Sequence, residues 1–275
     1  MVVDYEKFIH PFDRAMLKQL KSIPMLDSIV KKVMAALGER IMRGMHEASY
    51  TKLSLTQLPE YYKPLLEVCD TLGIEVPDMY LAMNPQPNAY TFGDTKPFIV
   101  INHGLIKLLT PEELKAVIAH ECGHILCHHV LYNSVARCLL QFGLDFLLQA
   151  TLIPGLDKLA VITLMYWSRM SEFSCDRAAA YVMGNSDVVV DTMIRLSSGD
   201  VEITNKINKK EYMAQSQRYM DMVSKSMTDK ILQAFLVYKM DHPFSAVRSF
   251  EVDKWFNAEK DNLPEKANAY KMLNW

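Results

Sequence analysis

Apolar residues near the start of the chain recur at steps of three and four. The run comprises Leu26, Ile29, Val30, Val33, Met34, Leu37 and Ile41. This spacing is typical of an amphipathic helix that buries one apolar stripe. Lysines and arginines occupy the rest of the cylinder, so a membrane surface is an alternative partner for the helix. Docking of the stripe onto the protein itself is the commoner arrangement, and we predict it here.

Strand-like patterns are few and lie close together. Ser49–Leu55 alternates weakly between apolar and polar residues, Met79–Met83 is apolar, and Phe98–Ile101 is rich in β-branched residues. Helical spacing is found at 58–72 and dominates again after residue 103. These patterns predict an α+β fold, mostly α, with a small mixed sheet of three or four strands.

Domain organisation is expected to be simple, because no internal repeat, low-complexity tract or linker interrupts the sequence. We predict a single domain over residues 1–275, in which residues 1–50 form a helical extension that packs on the core. Residues 138–167 contain two apolar runs that are interrupted by polar residues and separated by Pro154 and Gly155. This segment predicts a helical hairpin rather than a membrane span.

Composition argues against nucleic-acid binding and bears on the cellular location of the protein. Half of the residues are hydrophobic, 23% are charged, and the formal net charge is −2. A nucleic-acid-binding protein would need a basic surface, so no nucleic-acid partner is expected. The five cysteines form no CxxC pair. They predict reduced thiols, which favours a cytoplasmic location with at most peripheral contact to a membrane. The N-terminal segment lacks the apolar stretch of a secretory signal.

The segment AVIAHECGHILCHHV, residues 116–130, places four histidines and one glutamate in an apolar run. Thr110 and Glu113 precede it with the spacing of a capping box, which predicts that a helix begins there. We expect this helix to continue through the histidines.

On such a helix His120 and His124 lie one turn apart on the same face. Their imidazoles can therefore bind one ion at about 2.0–2.1 Å. Glu121 lies one step round the helix, where its carboxylate can face a water in an open position of the ion. The arrangement is the HExxH pattern, with two zinc ligands and a general base.

The third ligand does not come from the same helix. His128 continues the spacing but lies about 12 Å along the axis from His120, too far to share its ion. The metzincin pattern fails as well, because Cys127 and Val130 stand where it requires glycine and histidine. His128 and His129 are therefore expected on outer turns of the helix, without a role at the metal.

Two carboxylates one turn apart, Glu172 and Asp176, lie in a segment flanked by apolar runs. Burying them is costly unless they meet a cation or hydrogen-bond donors. Zinc binding by Glu172, with Asp176 accepting the far N–H of a ligand histidine, would satisfy both. Pairing with Arg169 or Arg177 is the alternative.

Four segments together resemble the HtpX-like zinc metallopeptidases, the gluzincin family that includes the CAAX prenyl proteases. The segments are NAYTFG at 88–93, HECGH at 120–124, SRMSEFSCDR at 168–177 and HPFSAVR at 242–248. The resemblance implies a zincin-like core with an HExxH active-site helix and one Zn2+ per chain. It also implies that Glu172 is the third ligand and that Asp176 hydrogen-bonds His120.

The resemblance has further implications for the substrate site. Asn88 and Ala89 are expected on an edge strand, where they would hold the substrate backbone. His242 and Arg248 are expected beside the active site, with His242 donating to the oxyanion; an ordinary turn before a helix is the alternative there. Cys122 within the motif is either a small packing residue or a redox-sensitive group near the metal.

These residues predict a zinc-dependent metalloendopeptidase that acts on peptide or unfolded-protein substrates. The opposing hypothesis is a catalytically silent peptidase-fold protein that works as a peptide-binding or chaperone-like module. A latent enzyme, whose cleft is covered by the hairpin at 138–167, is a third possibility. The intact ligand set with its base favours the enzyme, because pure binding does not need Glu121.

Overall fold

The structure is a computed structural model that describes residues 2–37, 39–143, 158–224, 242 and 244–267. Within these ranges the α-helices are α1 (Pro11–Lys21), α2 (Leu26–Leu37), α3 (Glu39–Ser49), α4 (Pro59–Leu72), α5 (His103–Leu108), α6 (Pro111–Leu126), α7 (Val130–Phe142), α8 (Lys158–Met183), α9 (Asp187–Ser198), α10 (Val201–Thr204), α11 (Lys209–Ser224) and α12 (Ser245–Glu259). Short 3-10 helices cover Tyr5–Lys7 and Lys260–Asn262. The turn of the predicted 138–167 hairpin falls on residues 144–157, which lie outside the described residues.

The strands form one small mixed sheet. They are β1 (Thr51–Lys52), β2 (Asp78–Ala82), β3 (Ala89–Phe92) and β4 (Phe98–Asn102). The order is β1-β2-β4-β3, with β2 and β4 parallel and the two outer pairs antiparallel. The prediction of a mostly helical α+β fold with a small mixed sheet is therefore confirmed. Among the described strands β3 lies at an edge of the sheet and pairs with β4 alone.

The sheet buries both of its faces, which explains why β4 is apolar at nearly every position. Ile99 and Ile101 point into a core shared with α4, α6 and α9. Phe98 and Val100 point into a second core that includes α2, α7 and the start of α8. Val30 on α2 is fully buried in this second core, so the amphipathic helix docks on the protein as predicted.

A close contact between α6 and α8 sets the geometry of the functional region. A side-chain carbon added at Gly123 on α6 would lie 3.0 Å from Cα of Cys175 and 3.2 Å from Cβ of Ala178, both on α8. Glycine therefore lets the two helix backbones approach each other. The approach brings the histidines of α6 within reach of the carboxylates of α8.

The start of α6 agrees with the prediction and its end does not. Thr110 Oγ1 accepts the Glu113 N–H, and the Glu113 carboxylate accepts the Thr110 N–H, so the capping box is present. The helix runs through His120 and His124 as predicted, but its predicted continuation through His128 and His129 is wrong, because α6 ends at Leu126. His128 adopts a left-handed conformation with φ 59°, and the His129 N–H donates to the carbonyl of His124. Together with the bond from the His128 N–H to the Ile125 carbonyl, this bond forms a Schellman motif that ends the helix.

The first helix of the chain contributes a buried charge to the core. Asp13 on α1 is fully buried, and its carboxylate accepts hydrogen bonds from Trp167 Nε1 at 2.9 Å and Ser174 Oγ at 2.6 Å. Its Oδ2 also lies 3.0 Å from Nε2 of His129, which is buried as well. The predicted place of His129 on an outer turn of the helix is therefore wrong. His129 is buried and joins α1 to the segment after α6. That residues 1–275 form one domain with an N-terminal extension stays a prediction.

Membrane-spanning potential is missing from the described part of the chain. No helix there combines the length and the apolar content that crossing a bilayer requires.

Candidate metal centre

The predicted ligands converge at the contact between α6 and α8. His120 and His124 are 7% and 5% exposed, and their ring centroids are 5.1 Å apart. Glu172 on α8 is buried opposite them. Its Oε2 lies 3.3 Å from Nε2 of His120, and its Oε1 lies 3.3 Å from Nε2 of His124. The structure thus brings together two imidazoles and one carboxylate from distant parts of the sequence.

The spacing of these atoms fits a metal ion better than direct hydrogen bonds. Charge-assisted N–H···O bonds are about 2.7–2.9 Å long. Ligand atoms around a tetrahedral zinc at about 2.0–2.1 Å lie about 3.3–3.4 Å from one another. Within the described residues, the buried Nε2 of His120 makes no hydrogen bond. Two histidines with one glutamate are also a donor set that catalytic zinc sites use.

Two overlapping groups of side chains have ligand atoms close enough for one ion. His120, Glu172 and His242 form one group, and His120, His124 and Cys175 form the other. Cys175 Sγ lies 3.6 Å from Nδ1 of His129, and burial raises the pKa of its thiol well above the usual range. A protonated thiol is a poor ligand, so Cys175 is the weaker donor. The predicted set of His120, His124 and Glu172 is neither of these two groups and rests instead on the contacts of Glu172 with both histidines.

The far side of each histidine is held by a polar partner. Asp176 Oδ1 lies 2.9 Å from Nδ1 of His120, so the carboxylate accepts a hydrogen bond from Nδ1–H and leaves Nε2 as the atom that can bind a metal. Nδ1 of His124 lies 3.1 Å from the side-chain nitrogen of Asn133. The Asn133 oxygen has no partner among the described residues. A half-turn of this amide exchanges the two atoms and makes the oxygen the acceptor of Nδ1–H.

Arg248 on α12 binds both carboxylates of α8. Its Nε and Nη2 donate to Asp176 at 2.7 and 2.6 Å, and its Nη1 lies 3.2 Å from Glu172 Oε2. Arg169 and Arg177, the alternative partners, contact the carbonyl oxygens of Met165 and Ile9. Arg248 was expected beside the active site, and the structure places it on Asp176 and next to Glu172.

The charges of the centre are strongly coupled. Burial alone would lower the pKa of His120, but Glu172 and Asp176 outweigh it and raise this pKa to about 10. Burial lowers the pKa of His124. Burial would raise the pKa of Glu172, but His242, Arg248 and His120 hold it well below its usual range. A divalent cation would compete with a proton for the Nε2 atom of His120.

Glu121 is buried next to the ligands and is held by the edge strand. Thr91 on β3 lies with its Oγ1 2.7 Å from Oε2 of Glu121 and 3.1 Å from the Glu121 carbonyl oxygen. This hydroxyl can fix the carboxylate in one orientation. Neither Thr91 nor Asn133 was predicted from the sequence, and no spacing rule links them to the motif. The only hint for Asn133 is its polarity in an otherwise mostly apolar helix.

His242 bridges the centre and the edge strand. Its Nδ1 lies 2.6 Å from Glu172 Oε2, and its Nε2 lies 3.2 Å from the carbonyl oxygen of Ala89. Burial would lower the pKa of His242, but Glu172 outweighs it and raises that pKa. The predicted role as an oxyanion donor stays a prediction.

The two residues predicted to hold substrate lie at the start of β3. The carbonyl of Asn88 accepts the Asn102 N–H of β4 at 2.9 Å, and Ala89 is the first residue of the strand. Both line a cavity that also reaches His120 and Glu121. Their location fits the prediction, and their binding role stays a prediction.

Cys122 lies inside the motif but faces the core. It is fully buried, and burial together with the adjacent Cys69 raises the pKa of its thiol well above the usual range. This environment favours the packing role over the redox role. All five cysteines are free and buried.

Comparison with known proteins gives a consistent result. Residues 60–256 match the family described as Peptidase family M48. Over 273 residues the chain is 33% identical to the plastoglobule-localized metallopeptidase 48, chloroplastic, of Arabidopsis thaliana, a match that covers 97% of this chain and 77% of that protein. A protease HtpX homolog of Pelotomaculum thermopropionicum is 26% identical over 185 residues, covering 57% of this chain and 65% of the relative. A second HtpX homolog, from Syntrophobacter fumaroxidans, is 30% identical over 104 residues, or 37% of this chain and 36% of the relative.

Proposed function

The chain belongs to peptidase family M48, a metallopeptidase family, and on this basis we propose that it is a zinc-dependent endopeptidase. Its substrates would be peptides or unfolded proteins. One observation carries the proposal: the buried Nε2 of His120 lacks a hydrogen bond within the described residues and lies at ligand-to-ligand distance from Glu172.

We assign the metal site to His120, His124 and Glu172, which would hold one Zn2+ per chain. When bound, zinc polarises a peptide carbonyl and lowers the pKa of a bound water. Asp176, and Asn133 with its amide turned over, would accept hydrogen bonds from the Nδ1–H groups of the two histidines, so that both Nε2 atoms could bind the metal. Arg248 balances the charge of the two carboxylates on α8.

Glu121 is the proposed general base. It takes a proton from the attacking water and later delivers it to the leaving amine. Thr91 orients its carboxylate through the 2.7 Å hydrogen bond. His242 lies between Glu172 and β3, where it could donate to the charge that develops on the carbonyl oxygen. Such donors are worth about 3–4 kcal/mol in other hydrolases.

The substrate backbone would add to the edge strand β3. Main-chain hydrogen bonds along an exposed strand supply affinity without demanding a sequence. Asn88 and Ala89 lie where this strand meets the cavity beside the centre. The predicted cytoplasmic location is not supported by the name of the Arabidopsis relative, which places that protein at plastoglobules.

The proposal is tested with the full chain and a quenched-fluorescent peptide. We expect cleavage that a chelator abolishes and added zinc restores. Glu121→Gln should lower kcat by at least about a hundredfold, because general bases contribute 10²–10⁴-fold, while bound zinc stays at the wild-type level. Peptide binding without cleavage by the zinc-loaded wild type would instead favour the silent binding module.

A further inference from the structure

Two cavities of very different size flank the candidate centre. The larger has a volume of about 700 Å³ and the smaller about 40 Å³. Glu121 and His242 line both, so the boundary between the cavities falls at the proposed general base. Ligand sites are usually about 300–1,000 Å³, a range that includes only the larger cavity.

Apolar side chains from several elements line the large cavity. Leu105 comes from α5, Val117 from α6, and Val189, Met193 and Leu196 from α9. Ala116 and Ala179 also line the cavity, and their side chains are too short to fill it. A wall of this composition favours an apolar occupant.

Four polar residues that line the large cavity away from the ligands, Thr192, Ser197, Asp176 and Arg248, already have partners. Thr192 Oγ1 donates to the Val188 carbonyl at 2.7 Å, and Ser197 Oγ donates to the Met193 carbonyl at 2.8 Å. The charged pair at the wall, Asp176 and Arg248, is joined by two short hydrogen bonds. A polar or charged occupant would therefore lose its hydration at this wall without gaining these groups as partners.

The small cavity lies on the other side of the centre. Tyr90, Thr91 and Ala136 are among the described residues that line it, together with the ligands His124 and Glu172. A cavity of about 40 Å³ has room for a few water-sized groups and not for a leucine or phenylalanine side chain.

The direction of β3 relates the cavities to the substrate. The strand runs from Ala89, beside the large cavity, to Thr91, beside the small one. Antiparallel pairing is the commoner arrangement of strands. A peptide paired antiparallel to β3 therefore passes the small cavity first and the large cavity second.

We propose that the 700 Å³ cavity is the specificity pocket, which takes a large apolar side chain directly C-terminal to the cleaved bond. The small cavity restricts the residue before the bond to glycine, alanine or serine. The inference rests on the proposed function and adds the substrate class to it.

Peptide libraries test the proposal on the zinc-loaded full chain. Leucine, methionine or phenylalanine after the cleaved bond should give kcat/KM at least about tenfold above alanine or aspartate, as apolar pockets discriminate by about 10–200-fold. Cleavage without this preference overturns the pocket assignment and leaves the peptidase intact. The absence of any cleavage overturns the proposed function and the pocket assignment with it.

A matched pair of variants tests the location of the pocket. Leu196 is 37% exposed and lines the cavity, whereas Ile203 is 54% exposed and is not among its lining residues. Leu196→Arg should lower kcat/KM for the leucine peptide by about tenfold and raise it for the aspartate peptide, and Ile203→Arg should change neither. Equal behaviour of the two variants contradicts the assignment.

A binding readout separates recognition from chemistry. In the Glu121→Gln background, fluorescence titration compares two peptides that differ only in leucine or aspartate at this position. Tighter binding of the leucine peptide, reversed by Leu196→Arg, supports the pocket. Equal Kd values for both peptides overturn it.

Discussion

At the scale of single residues, the centre depends on hydrogen bonds that orient its functional groups. Asp176 and Asn133 hold the Nδ1 atoms of the two histidines, and Thr91 holds the carboxylate of Glu121. The HExxH spacing predicts the ligands because one helical turn relates them. It does not predict these partners, which come from β3, α7 and α8 and meet the motif only in the folded chain.

Thr91 tests the orientation of the general base. Thr91→Val removes the donor to Glu121 and keeps the side-chain shape, so kcat should fall by about three- to tenfold, the effect of losing about 1 kcal/mol. KM and zinc content should stay unchanged. Thr91→Ser keeps the hydroxyl and should retain most of the wild-type kcat. Equal kcat values for the valine and serine variants would show that the hydroxyl does not position Glu121.

Asn133 tests the support of the second ligand. Asn133→Ala removes the partner of His124 Nδ1 and should weaken zinc binding by about 10–100-fold, as loss of such partners does at other sites. Competition with a fluorescent chelator measures the affinity. Asn133→Asp still offers an acceptor and should bind zinc more tightly than the alanine variant. Wild-type affinity in Asn133→Ala would remove this residue from the site.

At the scale of elements, local patterns predicted more than distant contacts did. The capping box marked the start of α6, and the apolar stripe of α2 marked a buried face. The end of α6 could not be read in the same way, because a histidine in the left-handed region closes the helix where glycine is usual. The burial of His129 was missed for a related reason, since its partner Asp13 is far away in the sequence.

Asp13 tests the buried link between α1, α8 and the segment after α6. Asp13→Asn should lower the free energy of unfolding by about 1–3 kcal/mol, the cost of weakening the hydrogen bonds that Trp167 and Ser174 donate to the buried carboxylate. Urea denaturation followed by circular dichroism measures it. Glu6→Gln, at an exposed pair with Arg14, is the control and should change stability by less than about 1 kcal/mol.

The pH dependence of this effect follows from the charge of Asp13. Burial would raise its pKa, but His129 and the hydrogen bonds from Ser174 and Trp167 hold it below the usual value. A carboxyl with a lowered folded pKa stabilises fully above its unfolded pKa of about 3.9 and loses that contribution as the pH falls through the folded pKa. The difference between wild type and Asp13→Asn should therefore shrink in acid. A difference that grows below about pH 4 would contradict a charged Asp13.

At the scale of the whole molecule, two helices far apart in sequence make one site. The order of the motifs predicted that residues 120–124 and 168–177 contribute to one site. The close approach of α6 and α8 at Gly123 brings these two segments together. The sheet adds the edge strand β3, and α9 adds the wall of the large cavity. The shape of the large cavity depends on side chains from many elements, so no local sequence pattern predicted it.

Zinc stoichiometry is the sharpest test of the proposal that His120, His124 and Glu172 hold one zinc ion. Purified wild type, Glu172→Gln and the control Glu67→Gln are dialysed against low zinc and analysed by elemental mass spectrometry. Glu67 lies on α4, and its exposed carboxylate pairs with Lys115. We expect one zinc per chain for wild type and for Glu67→Gln, and a large loss for folded Glu172→Gln. A wild type that binds no zinc, or a Glu172→Gln variant that keeps a full equivalent, would show that these three residues do not hold the ion.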